Sequence, residues 1–294
     1  MNRISILDSG NSDCIIISAE TQEGQKTIVI DGGLRDYNGK SVIRDYLREN
    51  SIGEIELLIV THIHQDHHGG FSTLPNDLSI KKAILPYEDI VLSEQMKAHN
   101  GESLHIPYYH ELYEYLVRQN TAIRLMSDCC GETFRFGDVE LKCLFPKKAS
   151  DLILPKILSS MSDESLDQRE AIEVYQAFKE ANKNAESAIW LLSCRGRNIA
   201  FLPGDSVASV QKSVLDDVGD PPVILKLTHH GLKFKKLEYY DEDLISSLNP
   251  QYVVVTNDLV KEKYSTTVAD CASACCGIGV TPYYTVNGTF NYEF

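Results

Sequence analysis

The chain has 294 residues, 43% hydrophobic and 24% charged, enough to bury a sizeable core and unlike a disordered or fibrous chain. Its formal net charge of −14 argues against broad, sequence-independent binding to long DNA, which rests on Lys and Arg neutralising phosphates, but leaves room for a small phosphorylated substrate at bound metals. No run approaches the roughly 20 apolar residues of a membrane span, and Asp8, Ser9 and Asn11 interrupt any signal-peptide core, so a cytoplasmic protein is expected.

In chain order, residues 3–7 and 14–18 predict short strands around the polar turn "DSGNSD", and "KTIVIDGG" predicts a third. "GKSVIRDYLRENS" places Val42, Ile43, Tyr46 and Leu47 at helical spacing. "EIELLIVT" is an apolar strand of buried type that delivers the chain to His62. Then follow a strand ("KKAILPY"), a helix ("YYHELYEYLVRQN"), and strands and hairpins in "AIRLMS", "ETFRFGDVELKCLFP" and "SAIWLLSCRGRNIAFLPGD". "SVASVQKSVLDDV" predicts a helix, "VILKLTHHG" and "QYVVVTND" strands, and "VADCASACCG" a helix. "TPYYTVNGTFNYEF" predicts a closing hairpin turned by Asn287-Gly288. Strands outnumber helices, which suggests two packed sheets with helices outside, in one domain over 1–294 and with no internal repeat.

Residues 150–186 stand apart as an inserted helical element. Ile172, Tyr175, Phe178 and Ala181 follow helical spacing and acids dominate the other face. A lid or a surface for a protein partner is one expectation; a solvated helical hairpin is the other. The eight cysteines form no CxxC pair, so reduced thiols are expected. Cys271 and Cys275 share a helix face, where small packing residues are a better reading than a metal or redox site.

"VTHIHQDHHGG", residues 60–70, holds four of the nine histidines. Where a strand runs into a loop, side chains two apart point the same way, so His62 and His64 can pinch one cation. Asp66 and His67, as the chain turns toward Gly69-Gly70, can face a second. Imidazole and carboxylate are the usual ligands of hydrolytic zinc.

"THIHQDH" resembles the HxHxDH signature of the metallo-β-lactamase superfamily. "ISILDSGNSDCIII…TIVIDGG", "NAESAIWLL", "FLPGD", "LKLTHHG" and "VTPYYTVNGTFNYEF" resemble, in order, the DNA-internalisation (competence)-related hydrolases of that superfamily, over nearly the whole chain. The resemblance implies an αββα sandwich of the α/β (α+β) class with a helical insertion. It also implies two divalent metal ions, zinc with manganese as the alternative. His62 and His64 would bind the first metal; Asp66, His67 and one of His229/His230 the second; Asp205 would bridge. His68 matches no ligand position and is expected to be a loop residue or one that supports the ligands from behind. The other of His229/His230 would face substrate and protonate a leaving group. Asp66, His229 and His230 are thus the expected catalytic residues.

Most superfamily members carry a third histidine for the first metal between the loop and the bridging aspartate. Only His99, His105 and His110 lie there; His110 is the candidate among them, and an ordinary helix-face residue is the better reading of it. Two-metal occupancy is therefore left open. Two cations would lower the pKa of a shared water toward neutrality and make the hydroxide that attacks, while Lys226 or Lys233 could stabilise developing charge. The leading expectation is a phosphodiesterase acting on nucleotides or nucleic acid. The alternatives are hydrolysis of a lactone, thioester or β-lactam, and a non-catalytic scaffold or sensor. A redox di-iron role is disfavoured by Gln65, where a carboxylate would favour ferric iron.

Overall fold

Alternation along the first strands sorts their side chains onto two faces, because the strand period is two. In Cys14–Thr21, Ile15 and Ile17 point one way and Cys14 and Ile16 the other; in Gly24–Gly32, Ile28 and Ile30 oppose Val29. Both sets are buried, so each strand is covered on two sides. The computed structural model describes residues 1–99, 105–233, 238–259 and 267–294, without the side chains of 98 and 99.

Two seven-stranded sheets result. The first runs in the order Phe290–Glu293, Arg3–Ile6, Cys14–Thr21, Gly24–Gly32, Leu57–Ile59, Lys82–Leu85, Ala122–Leu125. The second runs Thr133–Phe136, Val139–Phe145, Ile189–Cys194, Arg197–Leu202, Ile224–Lys226, Tyr252–Val255, Tyr283–Tyr284. Read in these orders, each sheet has three antiparallel pairings followed by three parallel ones. The two sheets therefore share one plan of pairing directions.

Between the sheets lies a core that includes Ile15, Ile28 and Ile30 of the first and Leu141, Trp190, Leu192 and Val254 of the second. Outside the first sheet, Val29 and Leu58 pack against helices through Ile43, Leu112, Leu116 and Phe178. Outside the second, Leu191, Phe201 and Val253 pack against Leu244, Ile245, Cys271 and Cys275. The expected layers, helix–sheet–sheet–helix, are present. No helix among the described residues is long and apolar enough to cross a membrane.

Several elements differ in detail. The apolar run before His62 is split: Glu54–Ile55 pairs with Ser79–Ile80 in a separate ladder, and only Leu57–Ile59 joins the main sheet. The helix predicted after Asp205 breaks at Val214 into Ala208–Ser213 and Leu215–Val218. Asn287-Gly288 turns no hairpin. Tyr283–Tyr284 pairs in parallel with Tyr252–Val255, whereas Phe290–Glu293 crosses to the other sheet and pairs with Arg3–Ile6. An open sheet edge against Ile4 and Ile6, both wholly buried, outweighs the local turn preference.

The insertion forms helices Leu154–Met161 and Gln168–Glu180. Asp167 and Glu170 cap the second with reciprocal side-chain bonds. Its buried stripe is Ala171 and Phe178, with Val174 and Tyr175 partly buried beside them, while Ile172 is 37% exposed. Of the predicted stripe, Tyr175, Phe178 and Ala181 pack against the core and Ile172 does not. Cys271 and Cys275 are buried packing residues on helix Thr267–Cys275, and all eight cysteines are free thiols.

Candidate metal centre

The parallel strands of both sheets end at a common edge, the usual place for ligands in such sheets. Leu57–Ile59 leads to His62, Arg197–Leu202 to Asp205, and Ile224–Lys226 to His229 and His230. Past Ile63, Gln65–His68 makes a single helical turn. Gly70 lets this turn lie against the first sheet, for a Cβ there would stand 2.0 Å from the Gly32 carbonyl oxygen.

Two donor sets meet at Asp205. In one, His62 Nε2 faces His64 Nδ1 at 3.0 Å and Asp205 Oδ2 at 3.9 Å. In the other, His67 Nε2 lies 3.3 Å from Asp205 Oδ1, and His230 Nε2 lies 3.3 Å from Asp66 Oδ2 and 3.7 Å from Asp205 Oδ2. His62, His64 and Asp205, and Asp66, His67, Asp205 and His230, each converge closely enough to hold one metal ion. Ligands about 2.0–2.1 Å from a tetrahedral zinc sit about 3.3 Å apart, close to these separations. His67 Nε2 and Asp205 Oδ1 are buried and make no hydrogen bond although they face each other, the arrangement a cation between them would satisfy.

The opposite ring nitrogens are held from behind. Asp31 accepts from His67 Nδ1 at 2.7 Å and from the Thr61 amide and hydroxyl at 2.8 and 2.7 Å. His62 Nδ1 contacts the hydroxyls of Thr61 (3.2 Å) and Ser187 (3.4 Å). His230 Nδ1 contacts Thr256 Oγ1 at 3.0 Å and Asp13 Oδ1 at 3.3 Å. Such contacts fix the tautomer that turns Nε2 inward. Asp31, His229 and His230 also hold left-handed backbone, with φ of 58°, 49° and 55°, a conformation costly outside glycine.

Electrostatics separates the rings. Burial pushes His62 well below the usual histidine value and His64 down to about 4. Burial works the same way on His67, but Asp205 and Asp31 outweigh it and drive the pKa well up. His230 is raised to about 9 in spite of burial, chiefly by Asp205 and then Asp13. The carboxylates therefore demand positive charge where the rings converge.

The adjacent histidines are told apart. His230 is 2% exposed and joins the second donor set. His229 is 12% exposed, lies 3.9 Å from Asp205 Oδ2, and stacks on Tyr239 at 3.9 Å between centroids. His110 is nowhere in the cluster: it bonds Asp89 at 2.8 Å and groups with Glu114 on a half-exposed face. His105 is the nearby one, its Nδ1 accepting from the Gln65 amide at 3.0 Å and its ring 4.9 Å from that of His64. The side chain of His99 lies outside the described residues. His68 is buried outside both donor sets, its Nε2 donating to the Ile63 carbonyl at 2.9 Å within the loop. Neither lysine lies at the convergence point. Lys226 is buried behind it against Asp13, and Lys233 is exposed, 5.0 Å from the Tyr240 ring.

Residues 7–126 match the family model of the metallo-beta-lactamase superfamily. The chain has the metallo-beta-lactamase fold. Among solved structures it is similar to Igni18, a metallo hydrolase from the hyperthermophilic archaeon Ignicoccus hospitalis, at 13% identity over 99% of each chain with a TM-score of 0.52. It is also similar to the metallo-beta-lactamase fold protein YhfI from Bacillus subtilis, at 7% identity over 100% of each chain and a TM-score of 0.52. Zn(2+)-bound PqqB from Methylobacterium extorquens has 12% identity over 100% of each chain and a TM-score of 0.50. No curated protein matches the chain in sequence.

Asp13, Asp31, Thr61, Ser187 and Thr256, with no role assigned from sequence, support the cluster. Their one sequence signal is position: Asp13 starts a strand and Asp31 and Thr256 end or follow one at the edge that carries the histidines.

Proposed function

We propose that the chain is a metal-dependent hydrolase of phosphodiesters in nucleotides or nucleic acid, close in kind to the DNA-internalisation-related hydrolases its motifs resemble. The observation that carries the reading is the sharing of Asp205 between two donor sets, His62/His64 and Asp66/His67/His230, which suits a pair of cations on one phosphate. Zinc ions there, with manganese as the alternative, would supply Lewis acidity and lower the pKa of a water toward neutrality. His62 and His64 would hold the first ion, Asp66, His67 and His230 the second, and Asp205 both.

The rest falls to the chain's own groups. His229, at the open side of the cluster, reaches substrate. Burial holds its pKa below the usual histidine value; from this position its ring N–H would donate a hydrogen bond to a phosphoryl oxygen or pass a proton to the leaving group. The Tyr239 ring, itself held by Asn184 Nδ2 at 3.0 Å, keeps that imidazole in plane. Asn184 lies in Lys183–Glu186 at the end of the insertion, so the insertion supports Tyr239 from behind. Lys226 takes no direct part, being neutralised by Asp13.

The test is incubation of zinc- or manganese-loaded protein with bis-p-nitrophenyl phosphate, single-stranded DNA and cyclic nucleotides, beside nitrocefin and acyl lactones. Phosphodiester turnover that chelation abolishes is expected. No phosphodiester turnover by protein of confirmed metal content overturns the reading, and turnover of a carbonyl substrate instead assigns the site to acyl transfer.

A further inference from the structure

One buried group at the site is used by nothing so far. Lys226 ends the strand Ile224–Lys226 of the second sheet, and its side chain is wholly buried. Its ammonium donates to Asp13 Oδ2 and, at 3.4 Å, to the carbonyl of Gly204, the residue before Asp205. Asp13 stands at the start of Cys14–Thr21 in the first sheet and is 1% exposed. It also accepts from Thr256 Oγ1 at 2.7 Å, and its Oδ1 lies 3.3 Å from His230 Nδ1. Its amide donates to the Asp66 carbonyl at 3.3 Å. Asp13 thus touches the Asp66 segment through its amide and the His230 segment through its carboxylate, and through Lys226 it reaches the segment that carries Asp205.

A buried ion pair is poor evidence for stability, because desolvating both charges offsets most of their attraction and an apolar pair of similar volume does as well. A pair at this place has another consequence. A carboxylate behind a ligating histidine fixes its ring and tautomer, but a bare buried carboxylate adds a negative charge to a region that already holds Asp31, Asp66 and Asp205. Lys226 cancels that charge while leaving Asp13 Oδ1 directed at His230.

We propose that Asp13 and Lys226 are a positioning pair that sets His230, and with it the second donor set, for metal binding. This rests on the reading of the cluster as a metal centre and is independent of the substrate.

The test uses the full-length chain and reads zinc affinity by chelator competition beside thermal unfolding of the zinc-free protein. Either single change, Asp13→Asn or Lys226→Met, strands a buried charge and destabilises the fold. The double variant D13N/K226M removes both charges and restores thermal stability toward wild type, while its zinc affinity stays about 10- to 100-fold weaker, the effect of losing a carboxylate behind a ligating histidine. A double variant that regains wild-type zinc affinity together with stability makes the pair merely structural and overturns the proposal. If the double variant does not fold, Thr256→Val decides: it is close to isosteric and removes only the hydroxyl between Asp13 and His230. Zinc affinity weakened several-fold is expected, and unchanged affinity overturns the proposal. Wild-type protein that binds no zinc or manganese sinks the metal-centre reading itself, whereas equal binding by wild type and variants sinks this proposal alone.

Discussion

His229 and His230 are neighbours with the same side chain, and the backbone separates them. Both adopt left-handed φ, with Gly231 following at 73°, and strain of that kind costs of order 1–3 kcal/mol per residue. The Asn257 side chain holds the His230 carbonyl at 3.0 Å and Tyr240 holds that of Gly231 at 2.6 Å, so the turn is fixed by its surroundings. Its result is that one ring enters the cluster and the next lines the opening. Replacing His230 by Gln is expected to cut bound metal, measured by elemental analysis of the dialysed protein. His229→Gln should keep the metal and lower kcat/KM about 10²–10³-fold, as loss of a donor to a charged oxygen does. Equal metal loss in both variants would refute the assignment. The histidine loop itself was legible, since spacing alone puts His62 with His64 and Asp66 with His67. The choice within "HHG" was not; His110 lies on a helix face away from the cluster, which was the better reading of its position.

At the scale of elements, the helical insertion shows how far periodicity carries. Its existence and most of its packed face followed from the sequence; one edge of the face did not. Tyr175, Phe178 and Ala181 pack as predicted, but Ala171 and Val174 take the place of Ile172, a choice that falls to what the helix packs on: Met96, Leu154, Leu158 and Met161 lie in the same core. Phe178→Ala should cost about 3–5 kcal/mol, the usual loss for a buried aromatic side chain. Ile172→Ala should stay within about 0.5 kcal/mol. Urea unfolding midpoints check both, and the reverse ranking would show the helix rotated from its described position. The closing segment makes the same point: Asn287-Gly288 carries a hairpin signal, yet its flanking strands enter different sheets.

For the molecule as a whole, the cluster lies where both sheets present strand ends, so segments from Asp13 to Thr256 meet there. Asp13, Asp31, Asp66 and Asp205 crowd this region, with Lys226 the buried lysine among them. Divalent ions would relieve that repulsion and, binding only the folded chain, stabilise it by about 4 kcal/mol at a thousand times the dissociation constant. Chelation should therefore lower the Tm by several degrees, and readdition of zinc or manganese should restore it, as scanning fluorimetry would show. A Tm unmoved by complete metal removal would count against a buried metal centre.

The sequence by itself determined the strands and helices with strong periodicity, the layered class, and the local donor pairs of residues 62–67, because each depends on side chains a few positions apart. The tertiary structure alone decided that His230 and not His229 joins the cluster, that Asp13 and Lys226 stand behind it, and that the last strand completes the first sheet. These are contacts between residues up to nearly the whole chain apart, and they are set by which sheet edges remain open and which buried charges must be matched, quantities that no local pattern encodes.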